Sequence, residues 1–430
     1  ASGAGLQLAV AGYTISYAAL LITGARLGDR LGHGRAFRLG LAVFTAASLL
    51  CGIAPGIGTL ITFRVVQGMG AALMVPQVMS LIQRQFDGAL RARALSLYSA
   101  VVACGVVIGQ VAGGVIVSAD LFGTGWRPVF LLNVPIGVVL LAVAARRLPA
   151  DRGEPGRELD PAGVAVLTSA VLLLVLPLVL GHDEGWPAWC WACLAASPIA
   201  FAGFVAIERR VARRGGAPLV SGRVVRAPGL AVGAAALFVA LVTYGGYLFV
   251  MALHLQGGLH ESAARAGLVF TPAAIGFAVT GLLWRRLPAR VHGPMVPAGL
   301  FVAAVGYLLL APILDGGSRG GLPLEVDLLV VGLALGLAFS PMINLALARV
   351  PLADAADASG VLVSVFQLGQ LVGVATLGTA YLSLVHAPGA VASAHALAVT
   401  LVALAASAVV AAGFAAAMVR PRRAVLSGTS

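Results

Sequence analysis

The chain has 430 residues, of which 60% are hydrophobic and only 10% are charged, and its mean hydropathy is +0.99. Ordinary soluble domains carry about 25% charged residues, and longer soluble chains split into domains instead of hiding so much apolar surface in one core. The composition therefore argues against a soluble enzyme, a disordered chain and a nucleic-acid-binding domain. It predicts a polytopic helical membrane protein.

The net charge of +12 comes from arginine alone, because the sequence contains no lysine. A phosphate-binding loop needs a lysine, so a pump that carries its own ATPase is excluded. The arginines are scattered among short loops without interleaved aromatic residues, and we therefore predict no nucleic-acid partner.

Thirteen apolar stretches are long enough to cross a bilayer, which takes about 20 residues. In chain order they cover residues 6–25, 38–56, 58–83, 94–117, 129–147, 161–181, 188–207, 229–253, 264–284, 294–314, 324–347, 357–383 and 394–418. Backbone polar groups must be satisfied within lipid, so each stretch is predicted to be a helix.

The arginines alternate between the two sides of the predicted membrane. Of the 28 arginines, 24 lie on one side, which we call the arginine-rich face; Arg127, Arg265 and Arg319 lie on the other, and Arg64 lies inside a stretch. The positive-inside rule makes the arginine-rich face cytoplasmic. Thirteen crossings would then leave residue 1 outside, so we predict fourteen helices, with the first one missing and both termini of the full chain in the cytoplasm.

Five motifs follow one another along the chain, and a sixth lies in its second half. They are ARLGDRLGHGR at 25–35, LITFRVVQGMGAA at 60–72, GVVIGQVAGG at 105–114, WRPVFLLNVPIG at 126–137, LDPAG at 159–163, and LQGGL at 255–259 with Gly267 and Pro272. In this order and on these stretches, the motifs resemble the major facilitator superfamily. More narrowly, they are similar to its fourteen-helix drug:proton antiporter branch.

This resemblance implies an all-α polytopic membrane protein with two six-helix bundles and two extra central helices. Residues 1–147 would form the N-terminal bundle without its first helix, 148–228 the two additional helices and their linkers, and 229–430 the C-terminal bundle. Substrate would bind between the bundles near the middle of the bilayer, with alternating access.

The resemblance also implies proton-coupled export of lipophilic drugs or natural-product antibiotics across a bacterial cytoplasmic membrane. The expected partners are the small-molecule substrate, protons and the lipid bilayer, and we expect a monomer that is driven by the proton gradient without a cofactor. Two alternatives remain: an importer or lipid flippase on the same scaffold, and a membrane sensor or scaffold that transports nothing.

Neither an enzyme nor a metal site is predicted. No nucleophile is followed by a base and a positioning group in a recognisable pattern. Cys190 and Cys193 have the spacing of a redox or zinc pair, but the sequence holds no second pair, so we interpret the spacing as coincidence.

Arg64 is the one formal charge placed well inside a stretch, where an arginine costs about 2.5–3.5 kcal/mol on insertion scales and is usually functional. The resemblance implies that Arg64, with Gln67, takes part in proton coupling or gating. The alternative is a structural arginine that binds helix carbonyls or extends towards the membrane surface.

Three other sets of residues are candidates for function. Asp29, Arg30 and Arg35 are predicted to form a cytoplasmic latch, the alternative being solvated loop charges. The glycines at 105, 109 and 113, with Gly114, form a small-residue stripe for either a sliding helix seam or static packing. The candidate cavity residues are Tyr13, Thr14, Tyr17, Gln110, Asn133, Tyr244, Tyr247, Gln256, Asn344, Gln367 and Gln370.

All sixteen acidic residues are assigned to loops or to the ends of stretches. The visible cavity is therefore expected to lack a carboxylate, which predicts neutral or weakly charged lipophilic substrates. The missing helix is one place where a coupling acid could lie.

Overall fold

The computed structural model describes residues 3–120, 123–148, 151, 153, 160–181, 184–216, 218, 229–347, 350 and 355–419. Within these ranges the regular structure is helical and contains no strand. The α-helices are α1 (Gly3–Leu31), α2 (His33–Gly52), α3 (Ile57–Gln85), α4 (Gly88–Ser118), α5 (Arg127–Leu131), α6 (Asn133–Arg147), α7 (Pro161–Leu180), α8 (Ala188–Arg213), α9 (Leu230–Leu253), α10 (Ala263–Val269), α11 (Thr271–Leu283), α12 (Met295–Ile313), α13 (Gly321–Leu347), α14 (Ala355–Leu384) and α15 (Ala390–Val419).

Short helical segments complete the described structure. A π-helix, His254–Gly258, continues α9, and 3₁₀ turns cover Trp284–Arg286, Ala289–Val291 and Asp315–Gly317. Each of the thirteen predicted stretches overlaps at least one helix. The stretch 129–147 is divided between α5 and α6, and the stretch 264–284 is divided between α10 and α11. The all-helical prediction is confirmed.

Ten helical segments of the described ranges are long and apolar enough to cross a membrane. Their outward faces carry large apolar side chains: Phe301 and Leu309 of α12 and Val402 of α15 are 51–57% exposed. Such a surface is stable only against lipid. The total of fourteen helices stays a prediction.

Local sequence explains several helix boundaries. The carboxylate of Asp160 accepts a hydrogen bond from the Gly163 amide (2.9 Å) and so caps α7, whose first residue is a proline. Gly32 separates α1 from α2 with a φ of 92°, which a residue with a side chain rarely adopts. The turn is therefore sharp enough for α2 to return across the membrane beside α1.

The helices pack in two groups. In the first half, α1 and α2 pack against α3, and α6 packs against α2. In the second half, α9 packs against α14 and α15, α11 and α12 pack against α13, and α12 also packs against α15. A large apolar core fills this second group.

The two groups meet at two places. On one side, α4 packs against α10 and α11; on the other, α14 contacts α1 and α3. Helix α7 lies against both α1 and α14, and α8 packs on α7. A small core that includes Val171, Phe204 and Leu371 joins these helices. The predicted substrate site would lie between these two groups.

Candidate transport site

Arg64 of α3 is half-buried and holds three helices together. Its Nε donates a hydrogen bond to the carbonyl oxygen of Ala9 in α1 (3.0 Å), and its Nη1 donates to Gln67 Oε1 (2.7 Å). Gln67, one turn further along the same face, is 2% exposed and donates to Ser48 Oγ of α2 (2.7 Å). Arg64 and Gln67, which were predicted together, therefore form one network.

Two aromatic rings enclose the charge of Arg64. The guanidinium carbon lies 4.4 Å from the centre of the Tyr13 ring and 5.5 Å from that of Phe130. The Tyr13 ring in turn stacks on Tyr17 at 5.9 Å. Cation–π contacts contribute about 0.5–2 kcal/mol, and more where water is excluded. Among the described residues no carboxylate pairs with Arg64, so neutral groups alone hold this cation.

The contacts of Arg64 agree in part with a structural arginine and in part with a residue that takes part in coupling or gating. The bond to the Ala9 carbonyl is the backbone contact expected of a structural arginine. The aromatic rings and the neutral amide, however, surround the guanidinium with groups that can bind an apolar substrate as well. Phe130 was not among the candidate residues, because an aromatic residue in an apolar stretch carries no distinguishing signal.

The structure places the predicted latch residues in different surroundings. Asp29 lies 3.6 Å from both the Arg26 guanidinium and His33 Nε2, at the arginine-rich end of α1. Arg30 and Arg35 are exposed there. The described contacts of Asp29 are therefore with its own turn of chain, and the latch across the two helix groups stays a prediction.

His33 and Gln77 form a buried link behind Asp29. His33 Nδ1 lies 2.8 Å from Gln77 Oε1, and Gln77 Nε2 donates to the Gly24 carbonyl oxygen (2.8 Å). The two side chains are 3% and 0% exposed. This link joins the start of α2 to α3 and to the end of α1.

Asp151, which lies beyond α6, caps α2 from a distance in sequence. Its Oδ2 accepts a hydrogen bond from the His33 amide (2.7 Å) and its Oδ1 from the Gly34 amide (3.1 Å). A carboxylate at a helix N-terminus satisfies free amide groups and opposes the helix dipole. Sequence reasoning missed this residue, since an acid in a polar loop looks solvated.

We expect Asp151→Ala to lower the free energy of unfolding by about 1 kcal/mol, the usual effect of losing a helix cap. The thermal unfolding midpoint of the detergent-solubilised protein measures this change. Asp87→Ala is the matched control, because the Asp87 side chain is 96% exposed and its ion pair with Arg91 lies on the surface. An equal shift in both variants would contradict the capping role.

The glycine stripe of α4 has no close neighbour among the described residues. Gly105 and Gly109 are exposed, and a Cβ built at either of them or at Gly113 would meet no described atom within 4 Å. Gly114 is buried. Static packing along 105–113 is therefore not seen in this conformation, and the sliding seam stays a prediction.

The candidate cavity residues occupy different environments. Tyr244 forms an aromatic cluster with Phe277 and Phe339, with ring centres 5.7–6.3 Å apart. Tyr247 is 1% exposed inside the second helix group, which makes it an interior residue of that group. Gln256 is exposed in the π-helix. Five further candidate side chains are half-buried, namely those of Thr14, Asn133, Asn344, Gln367 and Gln370. The side chain of Gln110 lies outside the described residues.

Two buried polar residues near the arginine-poor ends were not predicted. Asp327 of α13 is 7% exposed, so one of the acids assigned to the end of a stretch is buried among the helices. His254 in the π-helix is 0% exposed, and its Nδ1 lies 2.7 Å from Ser393 Oγ, which also contacts Tyr381. Single-turn π-helices often mark functional sites.

The described helices are long and apolar enough to cross a membrane and pack in two groups, which is the architecture of a polytopic membrane transporter. The family model described as Major Facilitator Superfamily matches residues 1–374, and the chain belongs to that superfamily. The predicted family and the prediction of a transporter rather than an enzyme are confirmed. The chain is a cell membrane protein.

Several bacterial relatives are similar over most of the chain. The "Probable actinorhodin transporter" of Streptomyces coelicolor is 40% identical over 88% of this chain, and the match spans 66% of that protein. The "Cephamycin export protein CmcT" of Amycolatopsis lactamdurans is 37% identical over 87% of this chain and 77% of its own length. The "Tetracenomycin C resistance and export protein" of Streptomyces glaucescens is 30% identical, over 88% and 69% respectively.

Solved structures share the fold at low sequence identity. The human organic anion transporter MFSD10 (TETRAN) aligns with a TM-score of 0.65 and 14% identity, over 95% of this chain and 83% of that one. A proton-dependent oligopeptide transporter aligns with a TM-score of 0.63 and 16% identity, over 96% and 90%. At this identity they support the fold alone, which agrees with the predicted architecture.

Proposed function

We propose that this protein exports lipophilic natural-product antibiotics from the cell in exchange for protons. The observation that carries this proposal is the Arg64 site, where a half-buried cation of the first helix group is held by Gln67, Tyr13 and Phe130. The relatives support the substrate class, because their names refer to actinorhodin, cephamycin and tetracenomycin C.

The arrangement of helices supports alternating access. In the described part of the chain, the main contacts between the two groups are those of α4 with α10 and α11 on one side and of α14 with α1, α3 and α7 on the other. Two rigid groups joined at such limited contacts can rock about a central site. We place the arginine-rich face in the cytoplasm, which puts Asp29, His33 and Asp151 at the cytoplasmic entrance.

Each group at the site has a physical role in this cycle. Tyr13, Phe130 and the cluster of Tyr244, Phe277 and Phe339 offer aromatic surfaces to an apolar substrate. Arg64 supplies a positive charge, and its described contacts are with neutral groups. The interactions of this charge therefore change when a proton or a substrate binds nearby. A cavity with this character favours neutral or weakly charged lipophilic molecules.

Inside-out membrane vesicles from cells expressing the full chain test the proposal. With an acidic lumen, we expect actinorhodin or tetracenomycin C to accumulate above the level in vesicles from empty-vector cells. A protonophore should remove that accumulation, since it removes the driving force. Accumulation that resists the protonophore would contradict proton coupling.

The same vesicles separate the alternatives. Movement in the opposite direction under the same gradient would indicate an importer, and translocation of labelled phospholipid without any antibiotic transport would indicate a flippase. The absence of all three movements would favour a sensor or scaffold.

A further inference from the structure

Three polar residues from three helices lie together inside the second helix group. They are Asp327 of α13, Tyr247 of α9 and Tyr307 of α12, and they are 7%, 1% and 0% exposed. The tyrosine rings lie 5.0 Å apart between their centres, and both tyrosines lie within electrostatic range of Asp327. We call this set the Asp327 cluster.

The three residues lie at the same depth in the membrane. Tyr247 and Tyr307 each stand six residues before the last residue of their helix, and Asp327 stands six residues after the first residue of α13. At 1.5 Å per residue this is about 9 Å from the arginine-poor ends of α12 and α13, whereas the π-helix His254–Gly258 extends α9 further beyond Tyr247. The cluster is therefore inside the apolar layer, nearer to the outer surface.

The polar atoms of the cluster have unused hydrogen-bonding capacity. Asp327 Oδ2 and the hydroxyl groups of Tyr247 and Tyr307 are buried and have no hydrogen-bond partner among the described residues. Over 90% of buried polar groups in proteins are bonded, so three neighbouring exceptions require an explanation. Gly306 of α12 lies against this part of α13, because a Cβ there would collide with the Val331 side chain and would stand 3.5 Å from Asp327 Oδ1.

No described basic side chain neutralises Asp327. The ionisable side chains at this end of the helices that pack against α13 are Tyr244 and Tyr247 of α9, His254 of the π-helix that continues α9, Tyr307 of α12, Tyr381 of α14 and His395 of α15. His254 is buried and its Nδ1 contacts Ser393 Oγ. His395 is exposed, and Tyr381 contacts Ser393. The nearby surface charges, Glu261 with Arg265 and Arg319, pair with one another at 2.9–3.1 Å.

A carboxylate in these surroundings is costly unless it carries a proton. An unpaired charge in an apolar interior loses its hydration without compensation, and such groups become neutral instead. Two tyrosine hydroxyl groups beside it can stabilise the charged form once they turn to donate to it. A small shift among α9, α12 and α13 therefore changes the free energy of the charged form relative to the protonated form.

We propose that Asp327 is the proton-binding residue of the second helix group. Its carboxylate accepts a proton from water at the outer side and becomes a neutral carboxylic acid. After the groups rock, the same proton leaves to the cytoplasmic side as substrate is exported, which restores the carboxylate. This inference rests on the proposed exchange of substrate for protons and adds the residue that carries the proton.

Infrared spectroscopy tests proton binding without any substrate. As the pH is lowered from neutral, we expect the purified protein to gain the C=O stretching band of a buried, protonated carboxylic acid, and Asp327→Asn to lack that band at every pH. Glu325→Gln is the matched control, because Glu325 is on the same helix and exposed. The band should persist in this control. A spectrum without the band in the wild-type protein, or an unchanged band in Asp327→Asn, would overturn the proposal.

Transport assays in the vesicles described above separate coupling from folding. With tetracenomycin C as the probe, we expect Asp327→Asn to reduce gradient-driven accumulation about tenfold or more, an effect of about 1.4 kcal/mol. Exchange of labelled for unlabelled probe without a gradient should persist, because it needs no net proton movement. Unchanged accumulation, or loss of exchange in a correctly folded variant, would contradict the proposal. Failure of the wild type to respond to the gradient would instead contradict the proposed function, and the infrared band still tests Asp327.

Discussion

Arg64→Ala is expected to abolish gradient-driven export while the protein remains folded in the membrane. The substitution removes the cation between Tyr13 and Phe130 and the donors to Ala9 and Gln67. A buried acceptor left without a partner costs about 1–3 kcal/mol, which weakens the local contact of α1 with α3 without removing the packing of those helices. Accumulation of tetracenomycin C in inside-out vesicles measures the loss.

Arg127→Ala is a matched control for the Arg64 prediction. Arg127 also stacks on an aromatic ring, that of Trp126 at 5.0 Å, and also donates to a backbone carbonyl, that of Ala54 at 3.0 Å. It lies at the arginine-poor end of its helix and outside the site, so we expect export to persist. Equal losses in the two variants would show that Arg64 acts only through packing.

Arg64→Lys distinguishes charge from geometry at the same position. Lysine keeps the positive charge but lacks the planar guanidinium that stacks and donates in fixed directions. If the fixed geometry between Ala9, Gln67 and Tyr13 matters, export by this variant stays well below the wild-type rate. Wild-type export would indicate that a point charge is sufficient.

The parts of the molecule that the sequence predicts well are those governed by local rules. The spans follow from hydropathy, since lipid leaves helices as the stable form for an apolar stretch. The link between Arg64 and Gln67 follows from their spacing of three residues on one helix.

The parts that were missed depend on contacts between distant segments. Asp151 caps α2 across more than a hundred residues of sequence, so no local pattern indicates it. Asp327 lies close to the predicted start of its stretch. Because that boundary was placed about one turn too late, the buried Asp327 was assigned to the end of the stretch. A signal was nonetheless present, because Asp327 is flanked on its C-terminal side by an unbroken apolar run.

The glycines also show that a local sequence pattern does not identify contacts between distant segments. The GxxxG pattern singles out α4, yet its stripe at 105–113 has no described neighbour. The close helix contacts lie elsewhere: a Cβ on Gly24 would collide with the carbonyl oxygen of Ala72, and a Cβ on Gly332 would collide with that of Ala273. Which glycine faces a backbone is decided by the packing of two helices, which spacing within one helix cannot supply.

Gly332→Ala and Gly109→Ala are therefore expected to change stability in opposite directions. At Gly332 the added methyl group meets the backbone of α11, which cannot move aside as a flexible side chain would, and such overpacking costs about 1–3 kcal/mol. At Gly109 the methyl group enters open space, and alanine is favoured over glycine inside a helix by about 1 kcal/mol. Thermal unfolding midpoints in detergent should fall for the first variant and rise for the second.

Export by Gly109→Ala then decides between the two interpretations of the α4 stripe. A variant that unfolds at a higher temperature has lost nothing in this conformation, so slower export would have to arise in another one. If the stripe closes against a neighbouring helix during the cycle, the methyl group obstructs that closure and export slows despite the added stability. Wild-type export would contradict the sliding seam, because a seam that never closes gains nothing from glycine.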